Sequence, residues 1–215
     1  MSQLRNRLPL VFAVSFAVAI VALTVHKLAG WSGGMRALGL AFVACYLAWL
    51  LLESRVALTE NKKGETRVDR GTCEAYAFGR ALTVTIALAA PTRWTQVNAW
   101  MLAGFAVFLA GVAFRLVAIR TLGKFYSHRV RLMGDHQVVS NGPYRLVRHP
   151  AYTGMLTAHL GVAIFFFNPY TLAALLGVLL PAMVLRIRVE ETALFRLPGY
   201  PDYAAHRPRL VPLCW

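Results

Sequence analysis

AYTGMLTAHLGVAIFFFNPYTLAALLGVLLPAMVLRIR, residues 151–188, contains two apolar runs separated only by Asn168-Pro169. A helix needs about 20 residues to span a bilayer, within a range of roughly 17–25. Residues 151–167 and 169–187 meet that range, and a two-residue break leaves room only for a turn, so the pair reads as a tight helical hairpin. Similar runs occur upstream at 8–29, 35–58, 76–91 and 97–119, of which 76–91 is short. The expectation is an all-α, polytopic integral membrane protein of about six transmembrane helices. Residues 1–120 would hold helices 1–4, and residues 121–215 a connector, the hairpin and a tail.

Composition agrees. A soluble domain carries about 25% charged residues; this chain of 215 residues carries 15%, with 58% hydrophobic and a mean hydropathy of +0.53. Arg5 and Arg7 before the first run suit a secretory signal, but the run exceeds a signal's apolar core of about 7–15 residues and no small-x-small site follows, so it reads as a first membrane helix. The net charge of +14 would suit a nucleic-acid or membrane-surface partner. Its distribution points elsewhere. With six spans and the N-terminus inside, only Lys27, Arg36 and Arg93 of the 23 Lys and Arg fall outside. That asymmetry is the positive-inside pattern, which makes the charge a matter of topology and excludes nucleic acid as the partner. Cys45, Cys73 and Cys214 have no metal or redox spacing, and GxGxxG, P-loop, HExxH and GxSxG motifs are absent. Thr83, Thr85 and His159 are the polar residues expected within the runs, too few for a transport path.

The polar chemistry gathers on one inside face. The connector, LGKFYSHRVRLMGDHQVVSNGPYRLVRHP (122–150), includes a β-prone stretch, Gln137–Ser140, and a Gly142-Pro143 turn. A solvated loop at 59–75 lies on the same side. Pro150 suits the first turn of a helix, which puts Arg148 and His149 at a helix N-terminus, where unpaired N–H groups and an arginine fork favour an anion. A basic loop before a proline-started helix explains the same residues. Glu190 and Glu191 end the second arm of the hairpin. Helical pairing with Arg186 and Arg188 would occupy them, yet an antiparallel return also brings them beside His149, where a carboxylate would bind a sulfonium or amino group. His128 and His136 are eight apart, off any common helical face, and would need His149 or His206 to hold a metal. Tyr200, Tyr203 and the basic tail suit interfacial anchoring.

In order and spacing, Leu122-Gly123, Phe125-Tyr126-Ser127-His128, Asp135-His136-Gln137-Val138-Val139, Gly142-Pro143-Tyr144, Arg148-His149-Pro150, Tyr152, Gly154, Asn168-Pro169, Arg188-Val189-Glu190-Glu191, Leu194, Gly199-Tyr200, Tyr203 and Pro212 resemble the isoprenylcysteine carboxyl methyltransferase family. The resemblance covers roughly the C-terminal 95 residues. It implies S-adenosylmethionine as cofactor, held on the cytoplasmic face between connector, hairpin base and tail. His136, Gln137, Val138 and Val139 would line the adenosine. Tyr144, His149, Tyr152 and one or both of Glu190 and Glu191 would hold the rest of the cofactor. Arg148, Arg186, Arg188 and Glu191 are the candidate catalytic residues, with Arg186 or Arg188 orienting the acceptor anion. The acceptor would be a lipophilic small molecule or prenylated substrate entering from among the membrane lipids. Phospholipid N-methyltransferases and NADPH-dependent sterol reductases share RHPxYxG and the acidic tail. The short chain argues against the reductases, and the Phe-Tyr-Ser-His run leans toward carboxyl methylation.

Overall fold

The computed structural model describes residues 2–59, 71–127, 137–211 and 215, and the side chains of these apart from 2–13 and 56–59. His128, Asp135, His136, Pro212, Cys214 and most of the 59–75 loop lie outside the described residues, as do the side chains of Arg5 and Arg7.

Asn98 starts α4 (Ala99–Leu122): its side chain accepts a hydrogen bond from the Met101 amide at 3.0 Å, satisfying one of the N–H groups that a helix start leaves open. Pro150 starts α5 (Pro150–Phe165), as its missing N–H predicts. The two helices run antiparallel in unusually close contact, and glycines make this possible. Gly104 and Gly111 on α4 face Gly161 and Gly154 on α5. A Cβ on Gly154 would sit 2.6 Å from the Arg115 backbone nitrogen, and one on Gly104 would sit 2.7 Å from that of Phe165. Within a bilayer no hydrophobic force separates helix–helix from helix–lipid contact, so such close backbone packing supplies the attraction.

The expected hairpin turn is present. Asn168 Oδ1 accepts from the Thr171 amide at 2.8 Å and Asn168 Nδ2 donates to the Phe166 carbonyl at 2.9 Å, with Pro169 opening α6 (Pro169–Ala174). The rod continues through a π turn, Leu175–Leu179, into α7 (Leu180–Leu194). Pro181 explains the π turn: it cannot donate to the carbonyl one turn back, and its ring pushes that carbonyl away. The arms do not pack as a tight pair. α5 packs chiefly against α4, whereas the α6–α7 rod packs against α3 (Thr72–Ala89). Gly79 of α3 meets the π turn, where an added Cβ would lie 2.9 Å from Leu179 Cα.

α1 (Ser2–Ala29) lies against α2 (Gly33–Thr59) and α3. An aromatic cluster fills the centre, with the Phe42 ring 4.3 Å from Phe165 and 4.6 Å from Phe108. A short helix, α8 (Tyr200–Ala205), follows α7. Among the described residues every regular element is helical; Gln137–Ser140, expected to be β-prone, has no regular structure and no strand to pair with. Gly33–Arg55, Ala99–Phe125 and Pro169–Leu194 are long and apolar enough to cross a membrane, and Val14–Ala29 is a shorter apolar helix. α3 has 18 residues and α5 has 16. Leu40, Leu51, Leu109, Leu160, Leu176 and Leu185 face outward, as in a multi-pass membrane protein whose solvent is lipid.

Candidate active site

Packing α5 on α4 and the α6–α7 rod on α3 leaves a cavity at the end of the bundle where the connector and tail converge. The centre of a water molecule can occupy about 160 Å³ of it. Of the residues expected to form a site, Gln137, Val138, Val139, Tyr144, Arg148, His149, Tyr152, Arg186 and Glu190 line this cavity. Arg188 is exposed and does not, and Glu191 points into a different environment.

The two neighbouring glutamates therefore occupy distinct settings. Glu190 Oε2 accepts from the Tyr152 hydroxyl at 2.8 Å, and that hydroxyl accepts from Arg186 Nε at 2.8 Å. Arg186 and Glu190, four apart on α7, are thus bridged by a tyrosine from α5. Glu191 is buried among cations. Arg148 Nη1 lies 2.8 Å and His149 Nε2 3.2 Å from its Oε1, and Arg209 Nε lies 2.8 Å from its Oε2. The tail is stitched to the same place. The Arg148 and His149 amides donate to the Pro208 and Arg209 carbonyls at 2.9 and 3.0 Å, and Thr153 Oγ1 donates to the Leu210 carbonyl at 2.7 Å. The anion clamp suggested by this helix start is consequently filled from within. The Glu191 carboxylate takes the arginine fork, and tail carbonyls take the amides that precede the helix.

A second carboxylate knot was not anticipated. Glu53 of α2 binds Arg80 of α3 at 3.0 Å and also Arg115 of α4. Arg115 extends the network, donating from Nη1 to the Ala151 carbonyl at 2.9 Å and from Nη2 to the Tyr126 hydroxyl at 3.2 Å. Arg80 and Arg115 line the cavity, as does Tyr76 of α3, so the cavity draws on residues before 121 as well as after. Arg80 also lies over the rings of Trp49 and Tyr76, 5.4 and 5.7 Å from their centroids. Each member of this knot sits inside an apolar run. That was the available signal, because an ionisable residue at membrane depth is costly and marks a role. Thr83, by contrast, only returns its hydroxyl to the Gly79 carbonyl of its own helix.

The remaining wall is apolar. Tyr144, Tyr200 and Tyr203 form a small core with Val138, Val139, Leu194 and Leu197 around them. The Tyr203 hydroxyl donates to the Tyr144 carbonyl at 2.8 Å. Burial pushes the Tyr203 hydroxyl up to about 12 and raises that of Tyr144 well above the usual phenol range. Both hydroxyls stay protonated throughout the physiological range. Four buried polar atoms of cavity-lining residues, Tyr76 Oη, Arg80 Nε, Arg148 Nε and Tyr200 Oη, have no hydrogen-bond partner. Among the described residues no group of three His, Cys, Asp or Glu side chains is placed to hold a metal.

Comparison with known proteins gives this arrangement a context. Residues 102–196 match the model of the isoprenylcysteine carboxyl methyltransferase (ICMT) family. The chain is 31% identical over 113 residues to protein-S-isoprenylcysteine O-methyltransferase B of Arabidopsis thaliana, covering 51% of this chain and 57% of that protein. It is 34% identical over 90 residues to the protein-S-isoprenylcysteine O-methyltransferase of Saccharomyces cerevisiae, covering 41% of this chain and 38% of that one. The chain thus spans about half the length of the curated relatives it matches. Its fold resembles the solved structure of the eukaryotic intramembrane Ras methyltransferase ICMT, with a TM-score of 0.53 at 20% identity over 94% of this chain and 75% of that one. The segment that matches the isoprenylcysteine carboxyl methyltransferase family model, residues 102–196, runs from α4 through α5 and the α6–α7 rod and includes much of the cavity wall between them.

Proposed function

We propose that this protein transfers a methyl group from S-adenosylmethionine to the carboxylate of a lipophilic, prenylcysteine-like acceptor. The observation that carries this reading is the division of labour between Glu190 and Glu191. Glu190 presents a carboxylate to the cavity, while Glu191 is consumed by Arg148, His149 and Arg209.

The cavity's residues fit the cofactor. Val138, Val139, Leu194, Leu197 and Tyr200 offer an apolar and aromatic wall for a purine, and the unpartnered Tyr200 Oη and Arg148 Nε would gain partners from a polar ligand. Gln137, Tyr144, His149 and Tyr152 complete the cofactor side, and Glu190 supplies the negative charge that a sulfonium or ammonium group needs. His136, outside the described residues, would extend the purine wall. When bound, S-adenosylmethionine supplies an electrophilic methyl group.

The protein's own residues then have three tasks. Arg186 is buried against Tyr152 and Tyr76 and lines the cavity, so it orients the acceptor carboxylate with a planar fork. Exposed Arg188 does not share this task. The carboxylate, with a pKa near 4, is already a nucleophile at neutral pH, so no general base is required. Tyr144, Tyr200, Tyr203 and Leu197 wall off water, and alignment of oxygen, methyl and sulfur supplies the acceleration. Glu191 and Arg148 act as positioning residues that fix the base of α5 against α7 and the tail. We place the cavity on the cytoplasmic face of a six-span chain, supported by the loop charge asymmetry. Residues 1–120 supply the first four helices, and α3 and α4 lend side chains to a catalytic region otherwise formed by 121–215.

The test is labelled S-adenosylmethionine binding to detergent-purified protein, with NADPH as competitor. Binding that falls at least tenfold in Glu190→Gln and resists NADPH supports the reading. Unchanged binding in that variant, or displacement by NADPH, contradicts it.

A further inference from the structure

Tyr76 lies on α3, outside the segment that matches the family model, yet it lines the cavity. Two guanidinium groups lie over its ring, Arg80 at 5.7 Å and Arg186 at 5.9 Å from the centroid, and the ring meets Tyr152 edge-on at 5.7 Å. The residue is only 7% exposed, and its hydroxyl has no hydrogen-bond partner. The neighbouring Arg80 Nε is likewise unpartnered. A buried hydroxyl without a partner forgoes the hydrogen bonds it would make in water, and such an orphan in a binding cavity calls for an explanation.

Three facts narrow what would satisfy it. The hydroxyl is a donor flanked by cations, so its complement is an oxygen with partial or full negative charge. Arg186, which under the proposed function holds the reacting carboxylate, lies over the Tyr76 ring at 5.9 Å from its centroid, so the complementary oxygen is a few bonds from that carboxylate. The Tyr76 hydroxyl projects from α3 rather than from the connector or tail, so the group belongs to the acceptor and not to the cofactor.

We propose that Tyr76 Oη, supported by Arg80, forms a specificity subsite for a second oxygen on the acceptor, such as the carbonyl of an amide on the carbon that bears the carboxylate. This rests on the proposed carboxyl methylation. The subsite would make α3 a reader of acceptor structure, separate from the cofactor wall built by the connector, α7 and the tail.

The experiment compares two acceptors, N-acetyl-S-farnesylcysteine and S-farnesyl-mercaptopropionate, which share tail and carboxylate but differ in the amide. With Tyr76→Phe, KM for the amide-bearing acceptor should rise about tenfold with kcat within about twofold, and KM for the other acceptor should not move. The melting temperature should stay the same or rise, because the removed hydroxyl bonds to nothing. Equal effects on both acceptors, no effect on either, or a fall in melting temperature overturns the subsite. Failure of the unaltered protein to methylate either acceptor overturns the proposed function and the subsite with it.

Discussion

Among the described residues the protein contains two buried carboxylate knots of nearly the same design. Glu53 binds Arg80 and Arg115 across α2, α3 and α4; Glu191 binds Arg148, His149 and Arg209 across the base of α5, α7 and the tail. The knots differ in depth. The Arg115 side chain is 3% exposed, whereas that of Arg209 is 31% exposed. The Glu53 knot therefore joins helices within the apolar part of the molecule, and the Glu191 knot fastens a terminal segment at its edge. They also differ in chemistry. Glu53 holds cations that line the cavity, while Glu191 holds cations beside a neighbour, Glu190, that lines it itself.

Depth predicts the order of the largest effects. Glu53→Ala leaves two buried arginines without their counter-charge, and breaking a buried pair in this way costs about 3–5 kcal/mol. A fall in melting temperature on the order of 10 °C in detergent is expected. Glu191→Ala should cost less, because water can reach Arg209, although tail protection in hydrogen exchange should drop locally. If the two variants melt alike, the distinction between deep and edge knots fails. Next in size is Glu190→Gln, which should keep the wild-type melting temperature while weakening cofactor binding about tenfold or more, the scale of a hydrogen bond to a charged group. Loss of fold in this variant would make Glu190 a structural twin of Glu191. Tyr203 gives a smaller, pH-dependent effect. Its hydroxyl is raised to about 12 in the folded protein against about 10 when unfolded. Its contribution is fully present below pH about 10 and is lost as the pH rises through about 12. Tyr203→Phe should flatten the alkaline end of the stability profile. The smallest effect belongs to Arg188→Ala. An exposed side chain away from both knots should change stability by less than about 0.5 kcal/mol, and methyl transfer by less than twofold, whereas Arg186→Ala should abolish most acceptor turnover.

The same contrast shows what the sequence could reveal. The Glu191 knot was within reach because Arg148-His149-Pro150 and Glu190-Glu191 form dense polar motifs at the two ends of one helical hairpin, and Asn168-Pro169 announces the turn between them. The Glu53 knot was hidden because its three members are scattered singly through apolar runs, where a helix is inferred regardless of one charge. Partner choice was hidden as well. Contiguity suggests that hairpin arms pack together, but Gly104, Gly111, Gly154 and Gly161 let α5 approach α4 more closely than α7 can. The filled anion clamp has a similar cause, since nothing in the local sequence tells which carbonyls will return from the tail to meet the Arg148 and His149 amides. Gln137–Ser140 has the residues of a strand, and β propensity without a partner strand among the described residues does not make one.

The central claim is that the cavity between the two knots methylates a carboxylate. Labelled S-adenosylmethionine, a farnesylated cysteine analogue with a free carboxylate and the purified protein in lipid vesicles test it directly. The expected product is a labelled methyl ester that alkali releases as methanol, formed at a rate nearly flat between about pH 6 and 8 because the acceptor is already ionised. A label that resists alkali, or that appears on a phospholipid amine with a rate rising across that range, would contradict it.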